Sequence, residues 1–107
     1  MKRRYEMAST QDLDQHSVML AKGWQYIGAF ERKNAPARLQ SHFIANGCEV
    51  RETDFTDRGY LVHKHSFALW VNPCGLAPCG CVEHAEEGWP CEHDLMAFEE
   101  LKKKVLG

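Results

Sequence analysis

Residues 60–71, "YLVHKHSFALWV", are the most β-prone stretch of the chain, dense in β-branched and aromatic side chains. They read as one long strand or as two short ones meeting near Ser66, and the other elements are placed around them. On a single strand, His63 and His65 would share one face as a half-solvated pair. Working back toward the N-terminus, "DRG" at 57–59 is a turn signal, and "CEVRETDF" at 48–55 has the pattern of a half-exposed strand.

A helix precedes that strand. Asn34 is a good N-cap, Pro36 suits the first turn, and Gly47 suits the position just past the end. Leu39 and Phe43 lie four apart and Ile44 widens the stripe, predicting one buried face. Further upstream, "WQYIGAFER" at 24–32 has Trp24, Tyr26 and Phe30 at strand period around Gly28. A first helix is expected from Ser9 or Thr10 to Gly23. The order α-β-α-β-β describes an α+β layer over residues 1–59 and the strand after it: a small mixed sheet with flanking helices on one face.

On the C-terminal side, Glu92 to Leu106 reads as a helix with Leu95, Phe98, Leu101 and Val105 on one face and Met96 at its edge. Acidic residues open it and lysines close it, which suits the helix dipole. Glu99–Lys103 and Glu100–Lys104 stand four apart in the favourable order.

Composition limits what such a chain does. Its 107 residues form one domain, and with 44% hydrophobic residues a modest core is within reach. No apolar run approaches the ~18 residues of a membrane span. The N-terminal "MKRRYEMASTQDLDQH" is basic without an apolar segment, unlike a secretory signal, so a cytoplasmic, reducing location is expected. In that setting clustered cysteines are more often metal-binding or catalytic than disulfide-bonded, and five is an odd number for a disulfide framework. Charge is uneven. Residues 1–58 hold nine basic and eight acidic side chains, whereas residues 59–107 hold four and seven. The cysteine-rich half is the acidic half, a poor surface for phosphate.

The cluster itself is "CGCVEHAEEGWPCEH" at 79–93. Cys79-x-Cys81 and Cys91-x-His93 are two close pairs of the borderline-soft ligands that zinc prefers. In an extended strand, residues two apart have Cα atoms roughly 6.5–7 Å from each other. Thiolates on one zinc sit about 3.8 Å apart. The first pair must bend, and Gly80 allows it. Within a helix, residues two apart point about 200° from each other. Cys91 must therefore lie just outside the helix as its N-cap, with His93 on the first turn. Glu92 and Asp94 then occupy positions where acids are favoured.

These residues resemble the SWIM-type zinc finger, whose pattern is CxC, a variable spacer, then CxH. The likeness includes Pro90 before the third cysteine and the apolar helix after the histidine. It implies a C-terminal ββα module over residues 60–107 with Cys79, Cys81, Cys91 and His93 as ligands of one structural zinc ion. Cys74 and His84 are alternates or neighbours of the ligands. The chain departs from the family at His84, where an aromatic is usual, and at Glu92, where a basic residue is common. Both departures bear on DNA binding rather than on the metal.

A closed four-ligand site leaves no open position for chemistry, so no enzyme activity and no small-molecule substrate are expected. The expected function is an intracellular interaction module, an adaptor or inhibitor of a larger complex. Trp89, Glu86 and Glu87 in the spacer are the partner-binding candidates. The alternative is a nucleic-acid-binding zinc finger acting in DNA transactions. It would use Lys102, Lys103 and Lys104 together with Arg3 and Arg4. Trp24 and Trp70 are expected in the core, and Cys48 as a small core residue.

Overall fold

A computed structural model of the chain describes residues 10–35, 37–77 and 89–106. Their elements are α1 (Thr10–Ala21), β1 (Gln25–Glu31), α2 (Ala37–Ala45), β2 (Glu49–Thr53), β3 (Ser66–Asn72) and α3 (Glu92–Leu106). The strands form one sheet in the order β1-β3-β2, and β3 runs antiparallel to both neighbours.

The expected mixed sheet is corrected to an antiparallel one, for a reason visible in β3. All seven residues of "SFALWVN" are buried, so this strand needs cover on both faces and a neighbour on both edges. β1 and β2 point the same way and would pair in parallel if adjacent. β3 lies between them and makes every pairing antiparallel. It thereby belongs to the same sheet as the elements before residue 60.

Helices cover both faces of the sheet rather than one. Phe67, Leu69 and Val71 pack with Leu39 and Phe43 of α2, Cys48, and Phe98 and Leu101 of α3. Ala68 and Trp70 point the other way, into a second cluster with Met19 of α1 and Phe55, flanked by Trp24 and Tyr26. Trp70 is fully buried, and its Nε1 donates to Thr53 Oγ1 at 2.9 Å and to Phe55 O at 3.3 Å.

A bulge in β1 distributes its aromatics between these clusters. Tyr26 faces Trp70 and Gly28 faces Leu69, so Ile27 is an extra residue against one step of β3. Without it, Trp24, Tyr26 and Phe30 would share a face, as their spacing predicts. The shift turns Phe30 to the other side, where its ring centroid lies 6.0 Å from that of Phe67. Tyr26 stays with Trp70 at 5.5 Å.

Helix ends follow local chemistry. Gly47, at φ +96°, closes α2: its N–H donates to Ile44 O at 3.0 Å and that of Cys48 to Phe43 O at 3.0 Å. Gly23 ends α1 with the same pair of bonds, to Leu20 O and, through Trp24, to Met19 O. The Pro90 ring lies so close to Gly23 that a Cβ there has no room. That contact docks the segment entering α3 on the end of α1. Asn34, expected as the N-cap of α2, instead lies in the turn after β1, donating from its backbone to Glu31 O at 3.1 Å. Ile44 is 58% exposed rather than in the buried stripe. It sits about 100° around the helix from Phe43, in the last turn, beyond the reach of the sheet. Leu95 and Met96 of α3 are likewise exposed, and Phe98 and Leu101 carry its buried face.

Residues 60–65 do not extend β3. Leu61 makes a single bridge to Phe55, and a turn closes with Ser66 N–H on His63 O at 2.8 Å. His63 and His65 are therefore exposed turn residues, their ring centroids 6.4 Å apart, rather than neighbours on a strand face.

Candidate metal centre

Cys91 stands immediately before α3 and His93 in its first turn, the placement that helix geometry demands of a ligand pair two residues apart. The carbonyl of Cys91 accepts the N–H of Leu95 at 3.1 Å, making Cys91 the N-cap. Its Sγ lies 3.9 Å from His93 Nδ1. Zinc bonds of ~2.3 Å to sulfur and ~2.0 Å to nitrogen, at a tetrahedral angle, put the two ligand atoms about 3.5 Å apart. The pair could therefore supply one edge of a tetrahedron after a small adjustment. Sulfur and imidazole are also the donor types zinc favours.

Asp94 organises the ground behind this pair. It is only 3% exposed, and its carboxylate accepts three backbone N–H bonds. Oδ2 receives Gly75 at 3.1 Å and Cys91 at 3.1 Å, and Oδ1 receives Ala77 at 2.9 Å. Burial alone would push the carboxyl pKa up. The bonds from Ala77, Cys91 and Gly75, with the Cys91 side chain, outweigh burial and hold it below the ordinary value. The reach from Asp94 back to the Cys91 N–H is the return half of a capping box. The sequence places an acid in this turn but says nothing of Gly75 or Ala77, which are near only in three dimensions. The one local signal is an acid three residues after an N-cap.

Cys74 lies on the same side, half-buried at the exit of β3, its N–H on Asn72 Oδ1 at 2.9 Å. Burial raises its thiol pKa, and the negative charges of Asp94, Glu49 and Cys91 raise it further. Cys48 is buried in the core, where burial and then the Asp94 charge raise its thiol pKa, the environment of an inert packing residue.

Cys79, Cys81, His84, Glu86 and Glu87 lie outside the described residues, as do Arg3 and Arg4. Among the described residues, no group of three or more His, Cys, Asp or Glu side chains is placed to hold a metal ion. The structure thus brings Cys91 and His93 together, with Cys74 close enough to feel the negative charge of Cys91.

Trp89 is 45% exposed. It lines a shallow apolar groove of about 510 Å³ with Val18, Ala21 and Lys22 of α1, residues that the sequence did not mark. The lysines lie elsewhere. Lys104 is eleven residues along α3 from His93, about 16 Å at helical rise. Lys102 pairs with Glu99 at 3.2 Å, rather than Glu99 with Lys103, and its ammonium sits 5.3 Å from the centroid of the Phe98 ring. Lys103 and Lys104 are exposed.

No protein-family model, curated protein or solved structure matches the chain. Among the described residues no helix is long and apolar enough to cross a membrane.

Proposed function

We propose that the chain is a zinc-stabilised protein-interaction module acting in a reducing compartment. Cys79, Cys81, Cys91 and His93 hold one structural zinc ion, and the surface around Trp89 meets a protein partner. The observation that carries the metal reading is the 3.9 Å approach of Cys91 Sγ to His93 Nδ1 at the N-terminus of α3. The resemblance of residues 79–93 to the SWIM pattern supplies the other two ligands. Four protein ligands leave zinc no open position, so the ion supplies a cross-link rather than a reaction. Structural zinc sites are worth about 10–16 kcal/mol in small peptides, comparable with the ~5–15 kcal/mol stability of a whole domain.

A protein partner is favoured over nucleic acid by the charge and by the groove. Trp89 and Val18 are exposed and line the same apolar groove, the anchor chemistry of protein interfaces. Lys102, by contrast, already spends its charge on Glu99. The full chain should carry one zinc per molecule by elemental analysis. Capture from the native cell should recover a protein with the wild-type chain and lose it with Trp89→Ala. Recovery of nucleic acid alone, lost steeply with salt, would replace this reading with the DNA-binding one. A chain purified without thiol oxidation that takes up no zinc would remove the metal.

A further inference from the structure

We infer that Asp94 is the positioning residue that assembles the metal site, holding the segment that leads into Cys79 against the end of α3 that presents Cys91 and His93. The inference rests on the zinc reading above and adds a residue that the ligand pattern does not contain.

The difficulty the site must solve is one of chain entropy. Its ligands come in two pairs, and nine residues separate Cys81 from Cys91. Beyond Asn72 the backbone leaves β3, and among the described residues 73–77 no ladder pairing fixes the approach to the first pair. Bringing together two such segments costs ordering entropy unless something already holds them. The Asp94 carboxylate meets this need. One oxygen, Oδ2, takes N–H bonds from both Gly75 and Cys91, so a single atom joins the two segments on either side of the CxC pair. The other, Oδ1, takes the N–H of Ala77, after which only Pro78 precedes Cys79.

Charge and geometry both assign this role to a carboxylate. An ionised acid accepts through two oxygens with room for several donors, and bonds to an ionised acceptor are about twice as strong as neutral ones. Asparagine has a single acceptor oxygen and would turn an NH₂ toward at least one of the three N–H donors. The same bonds separate positioning from ligation. Both Asp94 oxygens are engaged by backbone donors at 2.9–3.1 Å, and the side chain is buried. It therefore orients the backbone that carries ligands without itself facing the ion. Residues that orient ligands in this way typically contribute 10–100-fold to metal affinity.

The test uses the full reduced chain as wild type, Asp94→Asn and Ala77→Pro. Ala77→Pro deletes one donor and leaves the cap of α3 intact, so it remains informative if Asp94→Asn folds poorly. Zn²⁺ affinity is measured by competition with a chromophoric chelator. Co²⁺ is then added to saturation and its thiolate charge-transfer and d–d bands are recorded. Asp94→Asn should weaken Zn²⁺ by ~10–100-fold and Ala77→Pro by several-fold, with saturated Co²⁺ spectra identical to wild type. Unchanged affinity in both variants overturns the inference and leaves the zinc site standing. A changed Co²⁺ spectrum in Asp94→Asn also overturns it, by making Asp94 a ligand. If the wild-type chain binds neither ion, the zinc reading falls, and this inference with it.

Discussion

Phe98 of α3 lays its ring on Phe43 of α2, centroids 5.9 Å apart, and both side chains are essentially inaccessible to solvent. The helix that begins at the candidate metal centre is therefore part of the main core. α3 and the sheet are one mechanical unit. Truncating Phe98 to alanine removes the ring and leaves a cavity between α2 and β3, at a cost of about 3–5 kcal/mol. Urea titration should show that loss. Zn²⁺ affinity should fall as well, although no ligand is touched, because binding must then also restore the packing of α3. An unchanged affinity would show the metal site folding independently of the core.

Removal of the metal should be felt beyond α3. If zinc clamps its N-terminus, chelation raises amide hydrogen exchange in α3 and, through Phe98 and Leu101, at Leu69 and Val71 of β3. Melting should shift downward as a single transition. Exchange rising in α3 alone, with β3 still protected, would show that the shared core does not couple them.

On the opposite face, Trp70 Nε1 donates to Thr53 Oγ1 at 2.9 Å. Thr53→Val keeps the shape and removes the acceptor, leaving the longer bond to Phe55 O. The expected cost is about 1 kcal/mol. Trp70→Phe loses both bonds and opens space beside Tyr26 and Phe55, so it should cost more. Thr53→Val placed on top of Trp70→Phe should then cost less than it does alone, what remains being the loss of the Thr53 hydroxyl's own bonds to the Phe55 backbone. Full additivity in the double mutant would mean the bond contributes nothing to stability.

Asp94 sets a pH dependence whose sign is fixed. Its folded-state pKa is lowered, burial being outweighed by the three N–H bonds and the Cys91 side chain. It therefore contributes stability above the unfolded carboxylate pKa of about 3.9, and that contribution is lost as pH falls through the lower folded value. In the metal-free chain, wild type should exceed Asp94→Asn in urea midpoint at pH 6, and the gap should narrow at pH 3. A gap independent of pH would mean the carboxylate charge does not matter.

Trp89 should be dispensable for the fold and needed for the partner. With nearly half its surface exposed, Trp89→Ala should change stability by no more than about 0.5 kcal/mol while abolishing capture of the partner protein. Thermal melting and affinity capture on the same preparation separate the two effects. Retained capture would move the interface away from the α1–Trp89 groove.

Much of this protein is determined by residues acting over one or two turns of chain. Gly23 and Gly47 end their helices because both take the positive φ that a helix terminus of this kind requires. Cys91 falls outside α3 and His93 inside it because Asp94, three residues on, reaches back to the Cys91 N–H and caps the helix there. Leu39 with Phe43, and Phe98 with Leu101, face the core because helical spacing aligns them. Other features depend on surfaces that meet only after folding. β3 takes the centre of the sheet because both its faces can be covered there, which converts an expected mixed sheet into an antiparallel one. The bulge at Ile27 turns Phe30 away from Tyr26 because each ring finds its partner on a different face of β3. To the local N–H of Cys91, Asp94 adds those of Gly75 and Ala77, which no local pattern could have joined to it. Period and capping are local energies, whereas strand order, register and a shared carboxylate are set by burial between distant segments.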